Sequence, residues 1–176
     1  MTPATYSVRE RLRDGRPIEI RALRPDDETA MLAAVDRTDP ESLRRRFFAP
    51  KRGFSEKEKA FFMNIDFVNH VALVAEIDDG GGPAIIGGGR YIVTAGGEAE
   101  VAFVVVDAYQ GQGIGTLLTR HLTALARAAG LETLAADVLP ENAAMRNVLA
   151  KAGFEIGRSN DPHVIHMTLP LRTAAA

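Results

Sequence analysis

Residues 104 to 118 carry the most information about the fold, and they read Val-Val-Val-Asp-Ala-Tyr-Gln-Gly-Gln-Gly-Ile-Gly-Thr-Leu-Leu. The valines predict a buried strand, three alternating glycines follow it, and the apolar spacing after them predicts a helix. Glycines let consecutive backbone N–H groups turn towards one concavity, and the helix N-terminus adds a partial positive charge there. The stretch therefore predicts a phosphate or pyrophosphate site, although the same glycines also suit a tight turn that binds nothing.

Two common phosphate-binding loops do not fit this stretch. A Walker loop requires Gly-Lys after four intervening residues, and no lysine follows these glycines. The dinucleotide-binding fingerprint requires a glycine at the position of Thr116, and it belongs to parallel sheets, whereas the strands before this loop are predicted to be antiparallel. What remains is the pattern Gln110-x-x-Gly113-x-Gly115.

The chain before the loop is predicted to contain a hairpin, three helices and a meander. The pair Asp14-Gly15 favours a hairpin turn within residues 6–23, and glycine-rich turns favour three antiparallel strands between residues 71 and 106. Helices are predicted to start near Pro25, Asp39-Pro40 and Ser55-Glu56, the last with a capping box in which Glu58 faces Ser55.

The chain after the loop is predicted to alternate between helices and strands. The expected elements are helix 115–129, strand 133–139, helix 142–152, and strands 154–157 and 164–171. The two halves of the chain therefore differ in their order of elements, which indicates a mixed α/β (α+β) domain.

Length and composition fit one globular domain of 176 residues, expected over residues 1–172 with a disordered tail at 173–176. With 21 basic and 23 acidic side chains the formal charge is -2, so a nucleic-acid-coating protein is not expected. Cysteine is absent, which excludes disulfides, Cys-ligated zinc and a thiol nucleophile. The sequence contains no signal peptide or membrane span, so we expect a cytoplasmic protein without a membrane partner.

The glycine pattern resembles the acyl-CoA pyrophosphate loop of the GNAT superfamily of N-acetyltransferases. The resemblance extends over residues 17–169, and the segment 140–145, Pro-Glu-Asn-Ala-Ala-Met, with Gly153-Phe154 after it, is similar to a second conserved segment of that family. It implies the GNAT fold, a central mostly antiparallel sheet of about six or seven strands flanked by helices, in which two splayed strands hold acyl-CoA.

Three further segments are similar to the acetyltransferase domain of bacterial protein lysine acetyltransferases of the Pat type. They are residues 20–27 (Ile-Arg-Ala-Leu-Arg-Pro-Asp-Asp), Arg46-Phe47-Phe48 and Ala99-Glu100. The resemblance implies acetyl transfer to a protein lysine.

The resemblance also implies where acetyl-CoA binds. Backbone groups of Val104 and Val106 would pair with the pantetheine arm, and Asn142 would reach that arm through its side chain or serve as a helix N-cap. The pyrophosphate would lie on the loop, whose expected binding residues are Gln110, Gly111, Gln112, Gly113, Ile114, Gly115 and Thr116.

Glu100 is the candidate general base, since an acceptor lysine with a pKa of about 10.4 must lose a proton before it attacks. Strand alternation places Glu100 on one face with Val104, and the family's protein acetyltransferases have a glutamate in a similar Ala-Glu context. Burial against Phe103 or Phe154 would raise the pKa of the glutamate and improve it as a base. The alternative is a solvated carboxylate at a strand end.

The sequence departs from the family where many members have a tyrosine that protonates the leaving thiolate, because this position is Leu149. Tyr109 and Tyr91 are possible replacements, and solvent is another, since a thiolate is only weakly basic. His163 and His166 would lie on opposite faces of a strand, so no metal site is predicted.

A basic excess between Arg44 and Lys59 fits a solvated helical face, the ribose phosphate of CoA or an acidic partner. We therefore expect an acetyl-CoA-dependent N-acetyltransferase that acts on a primary amine, a protein lysine first, by direct attack with a glutamate base. A small-molecule amine acceptor and a non-catalytic acyl-CoA sensor are the alternatives.

Overall fold

The computed structural model describes residues 2–47 and 53–172, and they form an eight-stranded sheet with five α-helices. The sheet has the strand order β1-β2-β3-β4-β5-β6-β8-β7. Its strands are β1 (Ser7–Arg11), β2 (Pro17–Ala22), β3 (His70–Asp78), β4 (Pro83–Val93), β5 (Glu98–Val105), β6 (Thr133–Val138), β7 (Glu155–Ile156) and β8 (Ile165–Pro170). The helices are α1 (Glu28–Asp36), α2 (Pro40–Phe47), α3 (Glu56–Met63), α4 (Ile114–Ala128) and α5 (Ala143–Lys151).

The mixed α+β fold class is confirmed, and the sheet has one strand more than the upper end of the expected range. The extra strand arises because both strands of the N-terminal hairpin and the two-residue β7 join the same sheet. All strand pairs are antiparallel except β5 with β6.

Local signals in the sequence fix several element boundaries. Gly15 has φ of 89°, which lets the chain turn between β1 and β2 as predicted. The hydroxyl of Ser55 accepts from the amide of Glu58 at 3.2 Å and the Glu58 carboxylate accepts from the amide of Ser55 at 2.8 Å, so the capping box is confirmed. Gly130 and Gly153, with φ of 78° and 98°, follow the ends of α4 and α5.

Helices cover both faces of the sheet. Against α4 lies the larger core, which includes Phe103, Leu122 and the fully buried Leu118. Against α1 and the end of α3 lies a smaller core built on Leu23, Ala72, Val74 and Ile85. This arrangement leaves α2 beside β5, at the end of the sheet where the chain enters the glycine loop.

Some predictions concern residues outside the described part of the chain. Phe48, Lys51 and Arg52, and the tail at 173–176, lie there. Among the helices of the described ranges, none is long and apolar enough to cross a membrane.

Candidate functional site

A cleft opens where β5 and β6 separate. The two strands pair in parallel only from Glu98 with Thr133 to Glu100 with Ala135, and β5 continues to Val105 without a partner on that side. The cleft has a volume of about 590 Å³ and is lined by both strands, the glycine loop, the first turn of α4, and parts of α2, α3 and α5. It therefore has the splayed strands that the family resemblance implies.

Backbone direction along β5 decides which amides face this gap. The amide of Val106 donates to the carbonyl of Ile86 at 2.9 Å, so the even-numbered residues turn their backbone groups towards β4. By the alternation of a strand, Phe103 and Val105 turn theirs towards the gap, and the carbonyl of Val105 accepts from Gln110 Nε2 at 3.1 Å.

This geometry corrects the expected pantetheine contacts by one residue. Val106 has no free amide for a pantetheine arm, and it is buried outside the cleft lining. Val104 lines the cleft, but the same alternation turns its amide towards β4. The gap-facing amides are those of Phe103 and Val105.

The glycine loop presents a run of unpartnered amides. From Gly111 to Thr116, no backbone N–H donates a hydrogen bond to any described residue. Gly111 and Gly113 have φ of 78° and 94°, and Gly113 is the N-cap of α4 without a side-chain cap. Since the first amides of a helix lack intrahelical acceptors and carry its positive pole, the loop forms an anion cradle that faces the cleft.

The glutamines flank this cradle in different ways. Gln110 lines the cleft, and its side chain also donates to Ser42 Oγ at 3.3 Å, which joins the loop to α2. Gln112 does not line the cleft, because its side-chain oxygen accepts from Arg16 Nη2 at 2.8 Å on the hairpin side. Its side chain therefore anchors the loop rather than facing a ligand.

Arg13 is a site residue that the sequence analysis missed. It is exposed in the connection between β1 and β2, lines the cleft, and donates through Nη1 to the carbonyl of Gly111 at 3.2 Å. No sequence pattern links it to a loop that lies 98 residues further along the chain. Arg13 adds an exposed positive charge beside the cradle.

Asn142 caps α5 and lines the cleft. Its side-chain oxygen accepts from the amide of Met145 at 3.2 Å, as an N-cap does. Its side-chain NH₂ donates no hydrogen bond to the described residues, so the same residue has a free donor for the cleft.

Glu100 lies at the point where β5 and β6 part, and it is exposed in the cleft. Its carboxylate forms no hydrogen bond or ion pair with the described residues. The expected burial against Phe103 is wrong, because Phe103 projects from the opposite face of β5 and packs near Leu122 and Gly89. Glu100 is a free carboxylate rather than a desolvated one.

Three arginines besides Arg13 line the cleft. Arg90 extends from β4, where its partner on β5 is Ala102, and Arg45 and Arg46 extend from α2. Burial, with a smaller contribution from Arg46, lowers the pKa of Arg90 to about 9, and burial lowers the pKa of Arg46 to about 10. Of the interpretations that the basic segment allows, a wholly solvated helical face does not fit Arg46, because Arg46 lines the cleft.

No tyrosine replaces the missing general acid near Glu100. Tyr91 is 1% exposed in the core, where burial raises its pKa, and it does not line the cleft. Tyr109 lies at the loop end of the cleft, with the guanidinium groups of Arg16 and Arg37 over its ring. Leu149 is fully buried.

The described residues include no group of His, Asp and Glu side chains arranged to hold a metal ion. His166 instead pairs with Asp137, with 2.7 Å between Nδ1 and Oδ1.

Comparisons with known proteins agree with this geometry. The family profile described as an acetyltransferase (GNAT) domain matches residues 18–155. An acetyltransferase of Pseudomonas aeruginosa is 32% identical over 160 residues, which cover 89% of this chain and 86% of that protein. Acetyltransferase Pat of Mycolicibacterium smegmatis is 30% identical over 158 residues, which cover 87% of this chain but only 44% of Pat.

Solved structures show the same fold. The GNAT domain of PAT from S. lividans superposes with a TM-score of 0.87 at 35% identity, covering 93% of this chain and 96% of that domain. YncA of Salmonella typhimurium, solved with its cofactor acetyl-CoA, superposes with a TM-score of 0.71 at 20% identity, covering 90% and 96% of the two chains.

Proposed function

Since this chain belongs to the GNAT acetyltransferase family and is an N-acetyltransferase, we propose that it transfers the acetyl group of acetyl-CoA to the side-chain amine of a protein lysine. The proposal rests on three parts of the site, which are the loop amides, the gap between β5 and β6, and Glu100.

The observation that carries the proposal is the run of unpartnered amides from Gly111 to Thr116. Six consecutive N–H groups at a helix N-terminus suit two linked phosphates, because each oxygen can accept several charge-assisted hydrogen bonds. Arg13 adds a side-chain charge at the same place. Acetyl-CoA has such a pyrophosphate, and YncA, which has the same fold, was solved with acetyl-CoA as its cofactor.

The gap between the strands suits the pantetheine arm. An amide-containing chain that enters the gap meets the backbone N–H groups of Phe103 and Val105, and the side-chain NH₂ of Asn142 faces the same space. The arm would thus behave as a short extra strand beside β5. Its reactive end would lie near Glu100, where the strands converge.

Bound acetyl-CoA supplies an acetyl thioester, and the chain must supply a deprotonated amine. Glu100 is the base in this proposal, since its carboxylate has no competing partner among the described residues and faces the cleft. The absence of cysteine excludes an acyl-thiol enzyme intermediate and favours direct attack. Solvent protonates the departing thiolate, because no tyrosine lies beside Glu100.

The acceptor is assigned to protein lysines because two of the Pat-like segments contribute a side chain to the cleft. Arg46 and Glu100 belong to those segments, and Phe61, which is 51% exposed, lies at the rim of the cleft. An open rim with an exposed aromatic ring suits the side chain of a protein surface. The chain spans less than half of the Pat relative.

Labelled acetyl-CoA tests the proposal directly. The protein is incubated with it and either a bacterial protein extract or a panel of polyamines and amino acids. Label in protein lysines supports the proposal, whereas label only in small amines assigns the alternative acceptor. Binding of acetyl-CoA without any acetyl transfer would contradict the proposed reaction and favour an acyl-CoA sensor.

A further inference from the structure

Two of the arginines that line the cleft have no carboxylate partner among the described residues. Arg90 is 8% exposed, and it donates through Nη1 to the carbonyl of Phe62 at 3.1 Å and to His70 Nε2 at 2.9 Å, both neutral acceptors. Arg46 is half-buried and forms no hydrogen bond or ion pair in the described chain; its guanidinium lies 4.6 Å from the ring of Phe47.

The other buried arginine of the fold shows what a structural role looks like. Arg21 is 3% exposed and donates to both oxygens of Asp27 at 2.8 Å and to Glu76 at 2.6 Å. Arg46 and Arg90 lack such partners, and the undescribed positions 1, 48–52 and 173–176 contain no Asp or Glu side chain that could supply one. An anion that pairs with Arg46 and Arg90 must therefore be something other than an Asp or Glu side chain of this chain.

A nearby cation makes the burial of each arginine more costly. Burial lowers the pKa of Arg90, and the charge of Arg46 lowers it further. His70 is a neutral partner for Arg90 at pH 7, since burial and the charge of Arg90 lower its pKa to about 4. Buried charges without a partner are destabilising, and an oxyanion that enters between two guanidinium groups removes that cost.

The position of the pair separates it from the phosphates of the cofactor. Arg90 lies on β4 opposite Ala102, across β5 from the gap and three residues before Val105 along β5. Three residues of a strand span about 10 Å. The loop amides and Arg13 supply the positive groups for the pyrophosphate, so Arg46 and Arg90 are left for the other substrate.

We propose that Arg46 and Arg90 bind a carboxylate of the acceptor, so that the enzyme prefers an amine with an anionic group a few bonds away. Arg90 is the diagonal neighbour of Glu100 across β4 and β5, a separation of about 7–8 Å between backbone positions. An acceptor that reaches both residues therefore places its amine at Glu100 and its carboxylate at the arginines. The inference rests on the proposed function and refines its substrate class.

Two sources of carboxylate fit this chemistry. A peptide supplies it as an acidic side chain beside the reactive lysine, and a small amino acid supplies it within the same molecule. Two matched pairs of acceptors distinguish them. The first pair is a terminally blocked peptide with one lysine flanked by aspartates, and the same peptide with asparagines. The second pair is 4-aminobutanoate and 4-aminobutanamide.

The test measures acetylation and equilibrium binding for each pair. We expect kcat/KM for the acidic member of at least one pair to exceed that of its amide by about tenfold or more, the ratio for one lost charge-assisted hydrogen bond. Arg46→Gln and Arg90→Gln should each reduce this ratio towards one while the Kd of acetyl-CoA stays unchanged. Arg158→Gln, at an exposed arginine outside the cleft, should keep the full ratio.

The inference and the proposed function fail in different ways. Equal rates for acid and amide in the unmodified protein, or a ratio that survives both substitutions, would overturn the inference and leave the transferase intact. If no amine is acetylated, calorimetric titration of the same compounds into the protein–CoA complex still tests whether the acid is bound in preference to the amide. Preferential binding of an acid that depends on Arg46 supports the inference, and no preference or no binding refutes it. Because Arg90→Gln alters a buried residue, each variant is first compared in thermal unfolding.

Discussion

At Gly113 a side chain would be disfavoured by the backbone conformation and not by lack of space. Its φ of 94° lies in the left-handed region, yet an added Cβ would meet only the flexible side chain of Arg13, at 3.5 Å. We expect Gly113→Val to weaken acetyl-CoA binding by about tenfold or more, because a β-branched residue disfavours this conformation by about 1–2 kcal/mol and the loop amides would turn away. Calorimetric titration with acetyl-CoA measures the effect.

Gly80 provides the matched control, with φ of 95° and open space, in the turn between β3 and β4. Gly80→Val should carry similar backbone strain without loss of affinity. Normal titration of Gly113→Val would contradict the role assigned to the loop.

Glu100 should act on turnover and not on cofactor affinity. Glu100→Gln removes the proposed base and keeps the shape of the side chain, so kcat should fall by about 10²–10⁴-fold near neutral pH. The Kd of acetyl-CoA should stay within about twofold. Rates measured from pH 6 to 9 test this. Glu98→Gln, two residues earlier on the same face of β5, is the control and should retain activity. Equal rates for Glu100→Gln and the unmodified protein across that range would remove Glu100 from the mechanism.

At the scale of elements, the N-terminal hairpin contacts the glycine loop. The amide of Arg13 lies 3.5 Å from the carbonyl of Gln112, and the side chains of Arg13 and Arg16 bond to Gly111 and Gln112. We expect Arg13→Gln to weaken acetyl-CoA binding by about 3–10-fold, with a smaller salt dependence, because one exposed cation near the phosphates is lost.

Arg11→Gln is the control for this prediction, since Arg11 is exposed on the same hairpin. Among the described residues, its side chain donates a hydrogen bond only to the carbonyl of Gly15, at 2.9 Å. Titrations at two salt concentrations compare the variants. Identical affinity and salt dependence for Arg13→Gln and Arg11→Gln would show that the hairpin contributes no charge to the site.

At the scale of the whole molecule, Arg21 and Asp27 join the start of α1 to β2 and, through Glu76, to β3. Asp27 is buried, which by itself raises its pKa, but hydrogen bonds from Arg21 and from the amide of Arg24 hold that pKa below its ordinary value. We expect Asp27→Asn to lower the free energy of unfolding by about 3–5 kcal/mol at pH 7, the range for breaking a buried ion pair.

The pH dependence of this contribution follows from the depressed pKa. The stability is fully present above the unfolded-state pKa of about 3.9 and is lost as the pH falls through the lower folded-state value. Urea unfolding should thus show a constant difference between the two proteins from pH 5 to 7 that shrinks only below about pH 4. Asp26→Asn, at an exposed neighbour, should change stability by less than about 0.5 kcal/mol. A difference that disappears already near pH 6 would contradict this account.

Local chemistry made much of the fold predictable from the sequence. The hairpin at Gly15, the capping box at Ser55 and the strand–glycine–helix unit each depend on neighbours within a few residues. Features that depend on distant neighbours were not predictable in the same way. The hydrogen bonds between β5 and β4, such as that from Val106 to Ile86, decide which amides of β5 face the gap. The position of the hairpin decides whether Arg13 reaches Gly111.

The candidate site follows the same division. Its residues on β5 and the loop lie in one stretch of sequence, so a local pattern was enough to propose them. The proposed acceptor site combines Arg46 from α2 with Arg90 from β4, and only the folded chain brings these two together. Leu149 shows the limit of resemblance, because the family's tyrosine is absent and the core residue in its place offers no proton.

Amide hydrogen exchange followed residue by residue in NMR spectra, with and without acetyl-CoA, tests the central claim most directly. The account predicts fast exchange in the free protein for the amides from 111 to 116, and strong protection of these amides together with Phe103 and Val105 when acetyl-CoA is bound. Saturating acetyl-CoA that leaves the exchange of residues 111–116 unchanged would contradict it.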